Sequence, residues 1–156
     1  FDGVLHHEDV WWHPRKGAYV NTPGYQLFEH MPLLEKVLTS FPEVRIVLST
    51  SWVRVRRYSR AVKRLSPVLR ERVVGATFHT RMNRNDFEAL PRGVQILNDV
   101  ARRRPSHWVA LDDDAEGWIP EYREQLIHCD SVLGISAPGV LDALKERLTH
   151  FSTCVE

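Results

Sequence analysis

Two short apolar runs in this chain stop abruptly at polar clusters. Val47-Leu48 ends at Ser49-Thr50-Ser51, and Trp108-Val109-Ala110-Leu111 ends at Asp112-Asp113-Asp114. A third such end, Asp2-Gly3 followed by Val4-Leu5, opens the sequence. An acidic residue before glycine suits a chain that leaves a strand and turns sharply; the strand expected to deliver Asp2 would precede Phe1. Between these ends lie segments of helical periodicity. Strands alternating with helices predict an α/β fold, with a doubly wound parallel sheet covered by helices on both faces. In open sheets of that class the strand ends carry the site.

Residues 6–25, rich in His, Trp, Pro, Gly and Tyr, read as an irregular loop or a small hairpin of Val10-Trp11-Trp12 and Ala18-Tyr19-Val20. Leu27, Met31, Leu34, Val37 and Leu38 recur at three- and four-residue spacing, which predicts an amphipathic helix over 26–39 that Pro32 kinks or restarts. Further strands are expected at 44–48, 73–78, 107–111 and within 127–133. Helices are expected over 52–65, 92–104, 121–125 and 140–148, the last preceded by Ser136 as N-cap with Pro138 near its start. Residues 83–91 read as a polar loop.

At 156 residues the chain is expected to be one domain with a substantial core. Twenty-one Lys and Arg against 20 Asp and Glu leave a net charge of +1, so any affinity for a polyanion must come from a local patch. No apolar run approaches the roughly 18 residues that span a membrane. The two cysteines, Cys129 and Cys154, form neither a metal-ligand spacing nor a disulfide framework, which fits a reducing cytoplasm.

Taken in order, Asp2-Gly3-Val4-Leu5, the Ser49-Thr50-Ser51 strand end and the Asp112-Asp113 strand end resemble the motifs of the haloacid dehalogenase-like (HAD) superfamily of phosphohydrolases. The resemblance covers essentially the whole chain. It implies a Rossmann-like fold and hydrolysis of a phosphate monoester through an aspartyl-phosphate, with Mg²⁺ as cofactor. The superfamily's first motif is Asp-x-Asp-Gly-(Val/Thr)-Leu. Phe1 takes the place of x, Asp2 that of the second aspartate, and the attacking aspartate would stand immediately before Phe1. The chemistry requires an in-line nucleophile and positive charge against the phosphoryl oxygens.

By resemblance, Asp2 is the general acid and base, and its main-chain carbonyl a Mg²⁺ ligand, with Gly3 beside it at the phosphate. As a residue pair alone, Asp-Gly is also an ordinary turn. Thr50 is the first choice for the hydroxyl that binds the phosphoryl group, with Ser51 or Ser49 as alternatives; the same residues would serve as caps of a following helix. Arg92 stands where the superfamily carries a basic residue, more often Lys, and Arg81 and Lys63 are its rivals. Asp112 and Asp113 would bind Mg²⁺, a hard cation suited to carboxylates and water, Asp112 directly. Asp114 would cap the next turn. The bland alternative is a solvated acidic loop.

His6, His7 and His13 offer a zinc site only if they converge, and loop histidines more often face solvent; a role facing substrate is the stronger functional option for His6 or His7. Trp11, Trp12 and Tyr19 suit stacking on a base or ring, but are expected to pin their loop to the core. Neither gap in which the superfamily inserts a cap, about 20 residues after Leu5 and roughly 80–90, is long enough to fold separately. The site is therefore expected to be capless and open to a macromolecular phosphate. The basic run Arg54, Arg56, Arg57, Arg60, Lys63 and Arg64 would steer a polyanion or simply solvate a helix face. Capless members similar to domains of RNA-repair proteins suggest a nucleotide or polynucleotide phosphate as substrate. The alternative is a non-catalytic binding module of the same fold lacking the nucleophile.

Overall fold

The computed structural model describes residues 1–153, so Cys154 lies outside the described residues. In chain order the elements are β1 (Val10–His13), β2 (Gly17–Val20), α1 (Met31–Leu38), β3 (Ile46–Leu48), α2 (Ser51–Arg56), α3 (Tyr58–Val62), α4 (Pro67–Arg70), β4 (Val73–Ala76), α5 (Arg84–Glu88), α6 (Arg92–Arg103), β5 (Ala110–Asp112), a 3-10 helix (Pro120–Gln125), β6 (Leu126–His128) and α7 (Val140–Thr153). They belong to two compact units. The first comprises Phe1–Pro42, Val109–Asp113 and the chain from Gln125 onward; the second comprises Glu43–Trp108 and Asp114–Glu124. Among the described residues, strand pairing forms three two-stranded ladders.

In the first unit, β1 and β2 form an antiparallel hairpin, one of the two readings the sequence offered, with Trp11 opposite Tyr19 and Trp12 opposite Ala18. Trp11 and Trp12 are 57% and 52% exposed, so they do not pin the hairpin to a core as the sequence suggested. Pro32 neither kinks nor restarts a helix begun at residue 26. It lies in the first turn of α1, where no intrahelical partner is lost for want of an N–H. β5 and β6 pair in parallel, Asp112 opposite His128. The apolar face of α7 (Val140, Leu144, Leu148) is buried, and α7 packs on α1 and β6. Ser136 is not its N-cap: the helix starts four residues later, and the Ser136 hydroxyl donates to the Leu133 carbonyl at 2.6 Å.

In the second unit, β3 and β4 pair in parallel, Leu48 opposite Ala76, with a register shift between Ile46 and Val47. The connection carries α2, α3 and α4, as parallel strands require a crossover. The single basic helix expected over 52–65 is broken at Arg57, whose φ of 72° no α-helix admits. Residues 83–91 are not all loop. The Asn83 side chain accepts from Asn85 and Asp86 N–H at 2.9 and 3.1 Å, and this cap starts α5. Gln95 of α6 holds the segment's end, its amide donating to the Phe87 and Leu90 carbonyls.

Gly134 shows how tightly the first unit is closed. Its φ is 55°, and a Cβ there would overlap the Val4 carbonyl, which accepts the Ile135 N–H at 2.9 Å. Backbone cannot yield as a long side chain would. Gly134→Ala is expected to cost more than the roughly 1–2 kcal/mol of a left-handed non-glycine residue, read as a lower urea midpoint at unchanged m; an unchanged midpoint would contradict the packing.

Candidate functional site

The chain from Phe1 to His6 folds as a tight loop. The Phe1 carbonyl accepts the N–H groups of Val4 and Leu5 at 3.1 and 2.8 Å, and an isolated bridge joins Asp2 and His6. The Val4 carbonyl takes the Ile135 N–H and the Leu5 carbonyl the His30 N–H, so both sides of the loop are tied down. Gly3 has φ 66°, and a Cβ on it would overlap the Asp113 carboxylate. Only glycine lets the carboxylate at the end of β5 close over the Asp2 turn.

His6 is completely buried. The main-chain N–H of Phe28 donates to its Nδ1 at 3.1 Å, so Nδ1 is the bare nitrogen and the ring proton sits on Nε2. Nε2 in turn donates to Asp2 Oδ1 at 2.9 Å. The Asp2 side chain is 31% exposed, so one end of this bond is inside and the other reaches solvent. A hydrogen bond to a charged acceptor of this kind contributes roughly 1.5–3 kcal/mol. Phe28 has φ 58°, an uncommon conformation for a bulky residue. Its ring stands edge-on to His6 at 4.8 Å and to Phe1 at 5.2 Å, which holds that strained residue where its N–H meets the imidazole.

His7 is also buried, accepting the Asp9 N–H at Nδ1, while His13 is exposed. His6 and His7 thus turn inward, not toward solvent. Among the described residues no three or more His, Cys, Asp or Glu side chains are arranged to hold a metal ion. Asp112 is 4% exposed, and its carbonyl accepts the Cys129 N–H at 2.8 Å. His128 Nε2 donates to the Asp113 carbonyl at 2.8 Å. The Asp114 carboxylate accepts the Glu116 N–H at 2.8 Å, the turn cap expected of it.

In the second unit the strand end after β3 is polar as expected. Thr50 is 5% exposed and caps α2, its hydroxyl accepting the Trp52 N–H at 3.3 Å. Ser51 is the first residue of that helix. Arg92, at the start of α6, donates from Nη1 to the Ser49 carbonyl at 3.2 Å and reaches the Ser49 hydroxyl at 3.5 Å. The structure therefore brings Arg92 to the strand end that holds Thr50 and Ser51, whereas its rivals Arg81 and Lys63 are exposed. The basic run is partly neutralised and partly packed. Arg54 shares Glu88 with Arg84, and their guanidiniums hold the Glu88 carboxyl below the usual carboxylate range. Arg54 also lies over the Phe87 ring and Arg64 over the Trp52 ring.

A family model described as the HAD domain in Swiss Army Knife RNA repair proteins matches residues 1–140. The chain belongs to this family. No curated protein and no solved structure matches the chain. The matched span contains the candidate residues Asp2, Gly3, Thr50, Ser51, Arg92, Asp112 and Asp113. In this HAD domain those residues form two local groups. Asp2, Gly3, Asp112 and Asp113 lie in the first unit, and Thr50, Ser51 and Arg92 in the second.

The inward role of His6 was missed from the sequence because the signal is spatial: its second partner, Phe28, lies 22 residues away. Cys129 of the HAD domain reports on the acidic end of β5. Burial, then the charges of Asp112 and Asp113, push its thiol from an ordinary 9.0 up to about 12. A raised thiol pKa leaves the folded state fully favoured below the unfolded value, and that stability is lost as pH climbs from about 9 towards 12. With Cys154 replaced by serine, Cys129 is expected to resist iodoacetamide at pH 8 and to react once the chain is unfolded in urea. Rapid labelling of the native chain would contradict the buried, acidic setting.

Proposed function

We propose that this chain is a Mg²⁺-dependent phosphohydrolase acting on a phosphate monoester of a nucleotide or polynucleotide, with residues 1–156 working as one capless domain of the Rossmann-like doubly wound class. Family membership across residues 1–140 and parallel pairing in each unit support that class. The observation that carries the reading is the Asp2 carboxylate, partly in solvent and held at Oδ1 by a buried imidazole N–H. A general acid and base must both reach solvent and keep one orientation.

The remaining roles follow residue by residue. By resemblance to the superfamily's first motif, the attacking aspartate would stand immediately before Phe1. Asp2 gives a proton to the leaving oxygen and later takes one from water, and His6 keeps its carboxylate turned. Thr50, with Ser51 beside it, binds the phosphoryl oxygens, and Arg92 supplies positive charge against them. The carboxylates of Asp112 and Asp113 and the Asp2 carbonyl would hold Mg²⁺. Two carboxylates fit an ion that retains several waters, and hard oxygen donors suit it better than zinc. When bound, the ion neutralises charge on the phosphoryl group. The RNA-repair description of the family supports a nucleic-acid phosphate as substrate.

The full-length gene product is expected to hydrolyse p-nitrophenyl phosphate and a phosphorylated oligonucleotide end with Mg²⁺, and to lose both activities in EDTA. Asp2→Asn should lower kcat/KM by about 10²–10⁴, and Asp112→Asn should raise the Mg²⁺ needed for half-maximal rate. Absence of turnover across nucleotide and polynucleotide phosphates in saturating Mg²⁺ would refute the reading.

A further inference from the structure

The β1–β2 hairpin displays two large aromatic side chains, Trp11 and Trp12, to solvent. Residues 11–16 are all exposed, Trp11 and Trp12 more than half so. Cross-strand partners share a face, and so do alternate residues. Trp11, Tyr19 and His13 therefore lie on one face, with Trp11 directly opposite Tyr19.

That face is fixed, not floppy. Trp11 Nε1 donates to Asp9 Oδ1 at 2.7 Å, and Asp9 Oδ2 accepts from Thr22 Oγ1 at 2.8 Å and from Asn21. These bonds, led by Thr22 and Trp11, hold the Asp9 carboxyl below its ordinary range, so it is ionised near neutrality. The Asp9 main chain is held too, its N–H by His7 and its carbonyl by the Asn21 N–H. An exposed ring already oriented loses little freedom on binding. The turn adds Arg15 and Lys16, and from Val10 to Val20 there is no carboxylate.

Oriented aromatic faces beside two exposed cations, Arg15 and Lys16, match a single-stranded nucleic acid, whose bases stack and whose phosphates need positive charge. A duplex hides its base faces, and an acidic peptide offers no planar rings in series. We propose that the Trp11–Tyr19 face of the hairpin, with Arg15 and Lys16, binds single-stranded RNA or DNA by base stacking. This deepens the reading of a polynucleotide substrate and rests on it.

The test is fluorescence anisotropy of the full-length protein with a labelled single-stranded 12-mer RNA, the same RNA as a duplex, and inorganic polyphosphate, in Mg²⁺-free buffer. Single strands are expected to bind more tightly than duplex. Trp11→Ala should weaken single-strand binding about tenfold or more, with Trp11→Phe intermediate. The paired change Arg15→Ala and Lys16→Ala should flatten the salt dependence by about two phosphate contacts. Equal single-strand affinity in Trp11→Ala and the parent, or polyphosphate competing as well as single-stranded RNA, overturns the proposal. So would phosphatidylserine vesicles capturing the parent through Trp11 while RNA affinity stays unchanged. Because binding is read without turnover, failure to hydrolyse phosphomonoesters with intact Trp11-dependent binding would refute the catalytic reading alone. Hydrolysis with Trp11-independent binding would refute the hairpin proposal alone.

Discussion

One hydrogen bond, from the buried Nε2–H of His6 to the carboxylate of Asp2, holds the N-terminal loop in its orientation. It is directional because the other imidazole nitrogen is engaged by the Phe28 N–H, which leaves a single place for the ring proton. The strained Phe28 backbone, its packing on His6 and Phe1, and the carbonyls of Val4 and Leu5 tied to Ile135 and His30 all fix the same short loop. Gly3 lets the Asp113 carboxylate close over that loop. The loop is held on its inner side and open at Asp2, as the acid–base role proposed for Asp2 requires.

The strand ends were legible in the sequence because they combine two strong signals, an apolar run and an abrupt polar stop. β3 leads into Ser49 and Thr50, and β5 ends at Asp112, as expected. Arg92 likewise opens α6, and it reaches Ser49. Local capping and backbone conformation were less legible. Asn83 starts a helix in a stretch whose polarity reads as loop, and Arg57 interrupts a run whose composition reads as continuous helix. Both outcomes turn on one or two dihedrals that periodicity over a dozen residues does not resolve. Trp11 and Trp12 misled for another reason. Hydrophobicity favours burial, but strand alternation in a two-stranded hairpin gives two neighbouring tryptophans opposite faces.

Charge is deployed locally in a chain whose total is nearly neutral. Arg54 and Arg84 converge on Glu88, and Arg102 and Arg103 on the buried Asp99. Within the 54–64 run, Arg54 is paired with Glu88, and Arg54 and Arg64 lie over the Phe87 and Trp52 rings. The hairpin turn carries fewer cations, but no carboxylate between Val10 and Val20 opposes them. At the other extreme, the carboxylates at the end of β5 stand close enough to help raise the Cys129 thiol, a negative field that suits a divalent cation.

The most direct test of the central claim is leaving-group dependence in the full-length protein. An aryl phosphate such as p-nitrophenyl phosphate expels a stable anion and needs little protonation, whereas an alkyl phosphate needs a positioned acid. If His6 keeps Asp2 in place, His6→Leu should lower kcat/KM on the alkyl ester about tenfold more than on the aryl ester. His6→Gln, which retains an N–H donor, should bring the two losses together again. An equal loss on both esters in His6→Leu, with no recovery in His6→Gln, would show that His6 only supports the fold and would contradict the account.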